Sequence, residues 1–265
     1  MTQREIWLER MTWPDVKEAI SEGYDTVVLV VGAIENHGPH LPLGTDTILG
    51  YAIGERVAHK LGKALLAPVV RPGVSEDHMS FSGSITLTTE TFKATVREYV
   101  FSLAYHSFRR IVAFSSHGGN VMAMEELMPI LAAELPDVEF LTPSNEEAQL
   151  KEMRKFAAKD GIDLESLGMH AGEGETSMML AYASDLVKKD LLVQGWMGDH
   201  FEYEREERIQ DLITVSETGV FGDARLADQA RGERYLEFEA DLIVRYLEPL
   251  VPREDHLPLW RHPRK

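Results

Sequence analysis

Residues 26–33 read Thr-Val-Val-Leu-Val-Val-Gly-Ala, an apolar and largely β-branched run. Such a run fits a strand buried on both faces, as in an α/β sheet, and it is far too short to cross a bilayer. Residues 64–70, 110–115 and 138–141 are further candidate strands, and 84–87 could be another. Helical spacing or helix punctuation marks 15–23, 46–61, 91–108, 121–134, 151–158, 171–183 and 223–247. Strands therefore alternate with helices, and no Pro/Gly/Ser linker divides the chain. The simplest architecture is a single α/β domain over residues 1–265 with a mainly parallel sheet. The prolines at 252, 258 and 263 predict an irregular tail at 248–265.

In an open α/β sheet, ligands bind beyond the carboxyl ends of the strands. That rule points to the loops after Ala33 and Ser115. The first loop holds Glu35, His37, His40 and Asp46, with Gly38, Pro39, Pro42 and Gly44 shaping it. Glu35 and His37 are two residues apart, so an extended segment points both side chains the same way. Imidazole with two carboxylates suits Zn, Mn or Fe in the divalent state. A polar surface loop with Asp46 capping the next helix would look similar.

The second loop, Ser116-His117-Gly118-Gly119-Asn120, would let a ligand approach the backbone closely. It also reads as a plain strand-to-helix turn capped by Asn120. A phosphate cradle would be expected to carry Lys or Arg, and this loop has neither. A third segment, residues 170–177, opens a helix with Glu173 and Glu175 near its start. Capping accounts for Glu173; for Glu175 capping and a site role stand level.

Composition narrows the functional classes. With 44 acidic and 27 basic side chains the formal charge is −17, which argues against a general basic surface for nucleic acid. The absence of cysteine removes disulfides, thiolate zinc sites and cysteine nucleophiles. Residues 1–13 carry Arg4, Glu5, Glu9 and Arg10 and do not read as a targeting signal, so the expectation is a cytoplasmic protein with no membrane association.

Together the three segments resemble the creatininase (creatinine amidohydrolase) family. The residues that carry the likeness are Glu35-x-His37-Gly-Pro-His40-Leu-Pro-Leu-Gly-Thr-Asp46, then His117-Gly-Gly-Asn120, then His170-Ala-Gly-Glu173-x-Glu175-Thr-Ser177. Weaker similarity lies at 80–85 and 218–225. The resemblance implies an α/β/α sandwich with a mixed sheet and two divalent ions, Zn, Mn or Fe, at its carboxyl end. It implies that Glu35 and His117 bind one metal, His37 the other, and that Asp46 bridges them. The family's glutamate after the second-loop histidine is replaced here by Gly118-Gly119, which makes Glu175 the remaining ligand or an acid/base. His170 would be the general acid for the leaving nitrogen. His78 and Asn120 would contact substrate, and His40 would orient a ligand from behind.

The implied activity is hydrolysis of a non-peptide C–N bond in a cyclic or formyl amide by a metal-activated water. Creatinine itself fits poorly, since residues 167–169 supply no aromatic before His170. The alternatives are C–C hydrolysis of a cyclic diketone such as a diketo-inositol, and a catalytically silent binding subunit. A small-molecule substrate and a homo-oligomer, often a hexamer, complete the implied picture. Trp196, Met197 and Trp260 are interface candidates, or simply core.

Overall fold

The computed structural model describes residues 4–198 and 211–250. Among the described residues five strands form one sheet, in the spatial order Ala64–Leu66, Thr26–Val31, Arg110–Ser115, Glu139–Pro143, Leu247–Pro249. They are β1 (Thr26–Val31), β2 (Ala64–Leu66), β3 (Arg110–Ser115), β4 (Glu139–Pro143) and β5 (Leu247–Pro249). The first four are parallel, and β5 runs antiparallel to β4. Every residue of β1 is buried, as its apolar run predicts.

Eight α-helices accompany the sheet among the described residues: α1 (Trp13–Ser21), α2 (Thr45–Leu61), α3 (Thr89–Tyr105), α4 (Val121–Glu134), α5 (Glu146–Ala158), α6 (Leu164–Leu167), α7 (Glu173–Tyr182) and α8 (Gln229–Arg245). The single mixed-sheet α/β domain is as expected.

Several expectations change: β2 covers Ala64–Leu66 and not the whole of 64–70, and α5 starts at Glu146 rather than 151. The late helix begins at Gln229 rather than 223. Asp223 accepts from Arg225 N at the head of a short 3-10 turn, and Asp228 accepts from Arg231 N to start α8. These two caps split what periodicity alone merges. The tail is not wholly irregular, because Leu247–Pro249 forms the edge strand, where a proline costs no ladder bond. Residues 84–87 pair only through an isolated bridge between Ile34 and Ile85.

Topology places the site. From β1 the chain passes through α2 to β2 on one side, then crosses back through α3 to β3 on the other. The crevice of the doubly wound sheet therefore opens between the carboxyl ends of β1 and β3. Two glycines seat α2 against the sheet. A Cβ on Gly50 would lie 2.9 Å from Ser116 Oγ and 3.1 Å from Val30, and one on Gly54 would lie 2.8 Å from Leu66. This close approach draws the first turn of α2, with Asp46, down to the strand ends.

Candidate metal centre

Six side chains from four segments converge beyond β1 and β3. Glu35, His37 and Asp46 come from the loop after β1 and the start of α2, and His117 follows β3. His170 and Glu175 come from the turn into α7. Glu35 and His37 are fully buried, Asp46 is 2% exposed, and His117 is 9% exposed.

Each imidazole is held by one nitrogen and presents the other. His37 Nδ1 donates to the carbonyl of Glu35 at 3.2 Å, so Nε2 faces Asp46 Oδ1 at 3.2 Å and Glu175 Oε2 at 3.7 Å. His117 Nε2 donates to Val74 O at 2.8 Å, so Nδ1 faces Glu35 Oε1 at 3.2 Å and Asp46 Oδ2 at 3.7 Å. His170 Nε2 donates to Asn36 O at 2.6 Å and leaves Nδ1 at 3.7 Å from Glu35 Oε1. A backbone carbonyl fixing the tautomer of a ligating histidine is the usual support for a metal site.

Two overlapping triads result: Glu35, Asp46 and His117, and His37, Asp46 and Glu175. Each Asp46 oxygen faces a different imidazole, so this one carboxylate spans both triads. A third grouping, Glu35, His37 and His170, shares members with them. Both Glu35 oxygens, His37 Nε2 and Asp46 Oδ2 are buried without a hydrogen-bond partner. Leaving such groups unsatisfied is costly. Carboxylate oxygens and imidazole nitrogens crowded this closely fit a shared cation. Tetrahedral ligands at Zn–N or Zn–O lengths stand roughly 3.3–3.4 Å apart, close to the shortest separations here.

The electrostatics agree. Burial, then Asp46, pushes the Glu35 carboxyl above its ordinary range. Burial also opposes ionisation of Asp46, but His37 and His117 outweigh it and hold that carboxyl low. Burial opposes protonation of His37 as well; Asp46, Glu175 and Glu35 overcome it and lift the ring to about 10. The same contest at His117, won by Glu35 and Asp46, gives about 9. Without metal, the cluster thus holds protons where positive charge is needed.

The remaining candidates divide. His78 is 4% exposed, with Nε2 3.4 Å from Glu35 Oε1, and burial drives its pKa down to about 3. It lies edge-on to His117 and His170, so it joins the cluster. Asn120, a substrate candidate from the sequence, turns its side-chain amide to the backbone. It is fully buried, accepts from Val74 N at 2.9 Å and donates to Gly32 O at 3.0 Å, tying the loop at 74 to the end of β1. His40 touches no member of the triads through a hydrogen bond; it bonds Thr176 instead. Trp196 is half-buried, with its ring edge-on to Phe221 at 5.5 Å, and Met197 is half-buried too. Trp260 lies outside the described residues.

Sequence reasoning missed the late segment's place in the site. Gly219 O receives Asn36 Nδ2 at 3.4 Å, and Phe221 N donates to His170 O at 2.8 Å. The only signal was the weak likeness at 218–225.

The creatinine amidohydrolase family model matches residues 9–247. A mycofactocin precursor peptide peptidase from Mycolicibacterium smegmatis is 33% identical over 78% of this chain and 78% of its own. Creatinine amidohydrolase from Pseudomonas putida is 28% identical over 88% of this chain and 93% of its own. A solved creatininase mutant of the Zn-Zn type superposes with a TM-score of 0.72 at 26% identity, covering 91% of this chain and 96% of that one. The chain belongs to the creatininase family and is a metal-dependent hydrolase.

Proposed function

We propose that the chain is a dinuclear amidohydrolase, with Glu35, Asp46 and His117 holding one divalent ion and His37, Asp46 and Glu175 the other. The observation that supports this most is the pair of triads sharing Asp46, with buried acceptor atoms that have no hydrogen-bond partner. Zinc or manganese bound there would supply Lewis acidity and a nucleophilic water near neutral pH.

The chain's own residues do the rest. Asp46 turns one oxygen to each triad and so fixes the spacing between them. The carbonyls of Glu35 and Val74 each hold one ring N–H, so that His37 and His117, once deprotonated, turn the other nitrogen to the metal. His170 handles the proton. Burial, with His37 and His78 nearby, holds its pKa well below the ordinary value, so the ring rests neutral. Its Nε2–H is committed to Asn36 O, which leaves Nδ1 to accept a proton from the attacking water and return it to the leaving nitrogen.

The bond is an amide C–N bond. Both relatives described above carry names that denote cleavage of such a bond, one in a peptide and one in creatinine. The test is chelation and reloading of the purified protein, with metal counted per chain. It should be followed by a product-resolved screen of formamides, lactams, hydantoins, creatinine, short peptides and keto-inositols. Fewer than about one tightly bound divalent ion per chain would sink the dinuclear reading. Turnover of the keto-inositol alone would sink the C–N assignment.

A further inference from the structure

The two triads are assembled differently. Glu35, Asp46 and His117 all come from segments tied to β1 and β3, and Ser116 Oγ donates to Asp46 O at 2.8 Å to join them. The second triad must bring His37, on the loop after β1, to Glu175, on α7. Two hydrogen bonds near it span that gap. One, from His170 to the carbonyl of Asn36, belongs to the proton-handling residue described above. The other runs from His40 Nε2 to Thr176 Oγ1 at 2.9 Å, and both residues are fully buried.

The direction of that bond follows from its partners. Thr176 has one hydroxyl proton, and the carbonyl of Ala171 lies 3.3 Å from Oγ1 and can only accept. A continuous chain therefore runs from His40 Nε2–H to Thr176 Oγ1–H to Ala171 O. Ala171 is the hinge of the third segment. It is fully buried with φ at 53°, and its N–H donates to Glu175 Oε2 at 2.5 Å. The bond thus ends on the same residue that orients the Glu175 carboxylate. At its other end, His40 is held by Lys188 N, which donates to His40 O at 2.9 Å.

We propose that the buried His40–Thr176 hydrogen bond is the positioning device that sets Glu175 against His37, so that uptake of the second ion, and not of the first, depends on it. His40 and Thr176 are positioning residues and touch no reacting atom. This inference rests on the dinuclear reading and extends it to residues outside both triads.

Calorimetric titration of the metal-free full chain with Zn2+ tests it without recourse to turnover. Wild type should show two binding steps, and Glu175→Gln identifies the step that belongs to the second triad. Thr176→Val keeps the shape and removes the hydroxyl. It should weaken that step by about tenfold or more and leave the other within about twofold. Thr176→Ser should restore wild-type behaviour, which a loss of packing alone would not predict. His40→Asn attacks the bond from its other end and decides the matter if Thr176→Val does not fold. Equal weakening of both steps, or no weakening of either, overturns the proposal while leaving the dinuclear reading intact. A wild type that takes up a single zinc overturns both.

Discussion

Glu173 and Glu175 stand two residues apart in the first turn of α7, and their surroundings could hardly differ more. Glu173 is fully buried and saturated. It accepts from Ser177 Oγ at 2.7 Å, Arg231 Nε at 2.5 Å and Tyr235 Oη at 3.0 Å. Glu175 accepts the N–H of Ala171, and it faces His37 and the carboxylates of Glu35 and Asp46. Burial, set against His37 and aided by Asp46, lifts its carboxyl to about 7. Both gain from the helix N-terminus, so the dipole does not separate them. A cationic partner and a full set of donors make Glu173 part of the scaffold that locks α7 to α8. Crowding among acceptors makes Glu175 available to a cation.

The hardest blow to the site should come from outside this pair. Asp46→Asn removes the carboxylate that spans both triads. Bound metal should fall from about two ions per chain to below one, and turnover by at least ~1000-fold. Elemental analysis with steady-state rates checks this; retention of two ions would show that Asp46 does not bridge.

The glutamate contrast itself should then separate cleanly. Glu173→Gln leaves Arg231, whose side chain is 12% exposed, without its charge partner. A loss of about 3 kcal/mol follows, or roughly 6–12 °C in melting temperature, with the metal count unchanged. Glu175→Gln should do the reverse, costing one ion per chain and at least about 100-fold in rate with no loss of metal-free stability. Denaturation and metal analysis of both variants decide it. A Glu175→Gln protein that melts early with both ions in place would erase the contrast.

Loading should also be visible in protons. Without metal, His37 titrates at about 10 and His117 at about 9, so both are charged at neutral pH and must be deprotonated to ligate. Metal binding then releases protons, and apparent affinity rises as pH climbs toward 9–10. Zinc titrations in two buffers of different ionisation enthalpy count the protons; none released at pH 7 would contradict the protonated resting cluster.

Much of this was legible from the residues. The run at 26–33 marked an interior strand of the sheet because a doubly buried strand must be apolar throughout. Glu35, His37 and Asp46 stood out because metal-ligand types clustered where an α/β sheet binds ligands, whereas His117, in a loop that also reads as a plain turn, gained a ligand's role only through the family resemblance. The partners of Glu173 were not legible, since Arg231 and Tyr235 lie 58 and 62 residues away and nothing local marks them. His40 illustrates the same limit. Its motif placed it beside the ligands, but its bond to Thr176 is set by where α7 docks, 136 residues later. Asn120 shows the same limit, because its bonds to Val74 N and Gly32 O are set by how the loop at 74 packs on the end of β1.

The smallest predicted effect comes from a third glutamate. Glu239 lies on α8, half-buried, where burial first and then the charge of Glu175 lift its carboxyl to about 7 from an ordinary 4.5. A carboxyl raised in the folded state destabilises the fold as pH rises through 4.5 to 7, and the cost is complete above about 7. Glu239→Gln should therefore stabilise the metal-free protein at pH 8 by on the order of 1 kcal/mol, the full shift being discounted for partial exposure, and much less at pH 5. Loading with metal offsets the charge of Glu175, so the gain should shrink in the loaded protein. Urea denaturation at both pH values, with and without metal, gives all four numbers. A gain of equal size at pH 5 and pH 8 would mean that the charge of Glu239 is not its source. A gain that ignored metal would mean that burial alone, and not the neighbouring site, sets the state of Glu239.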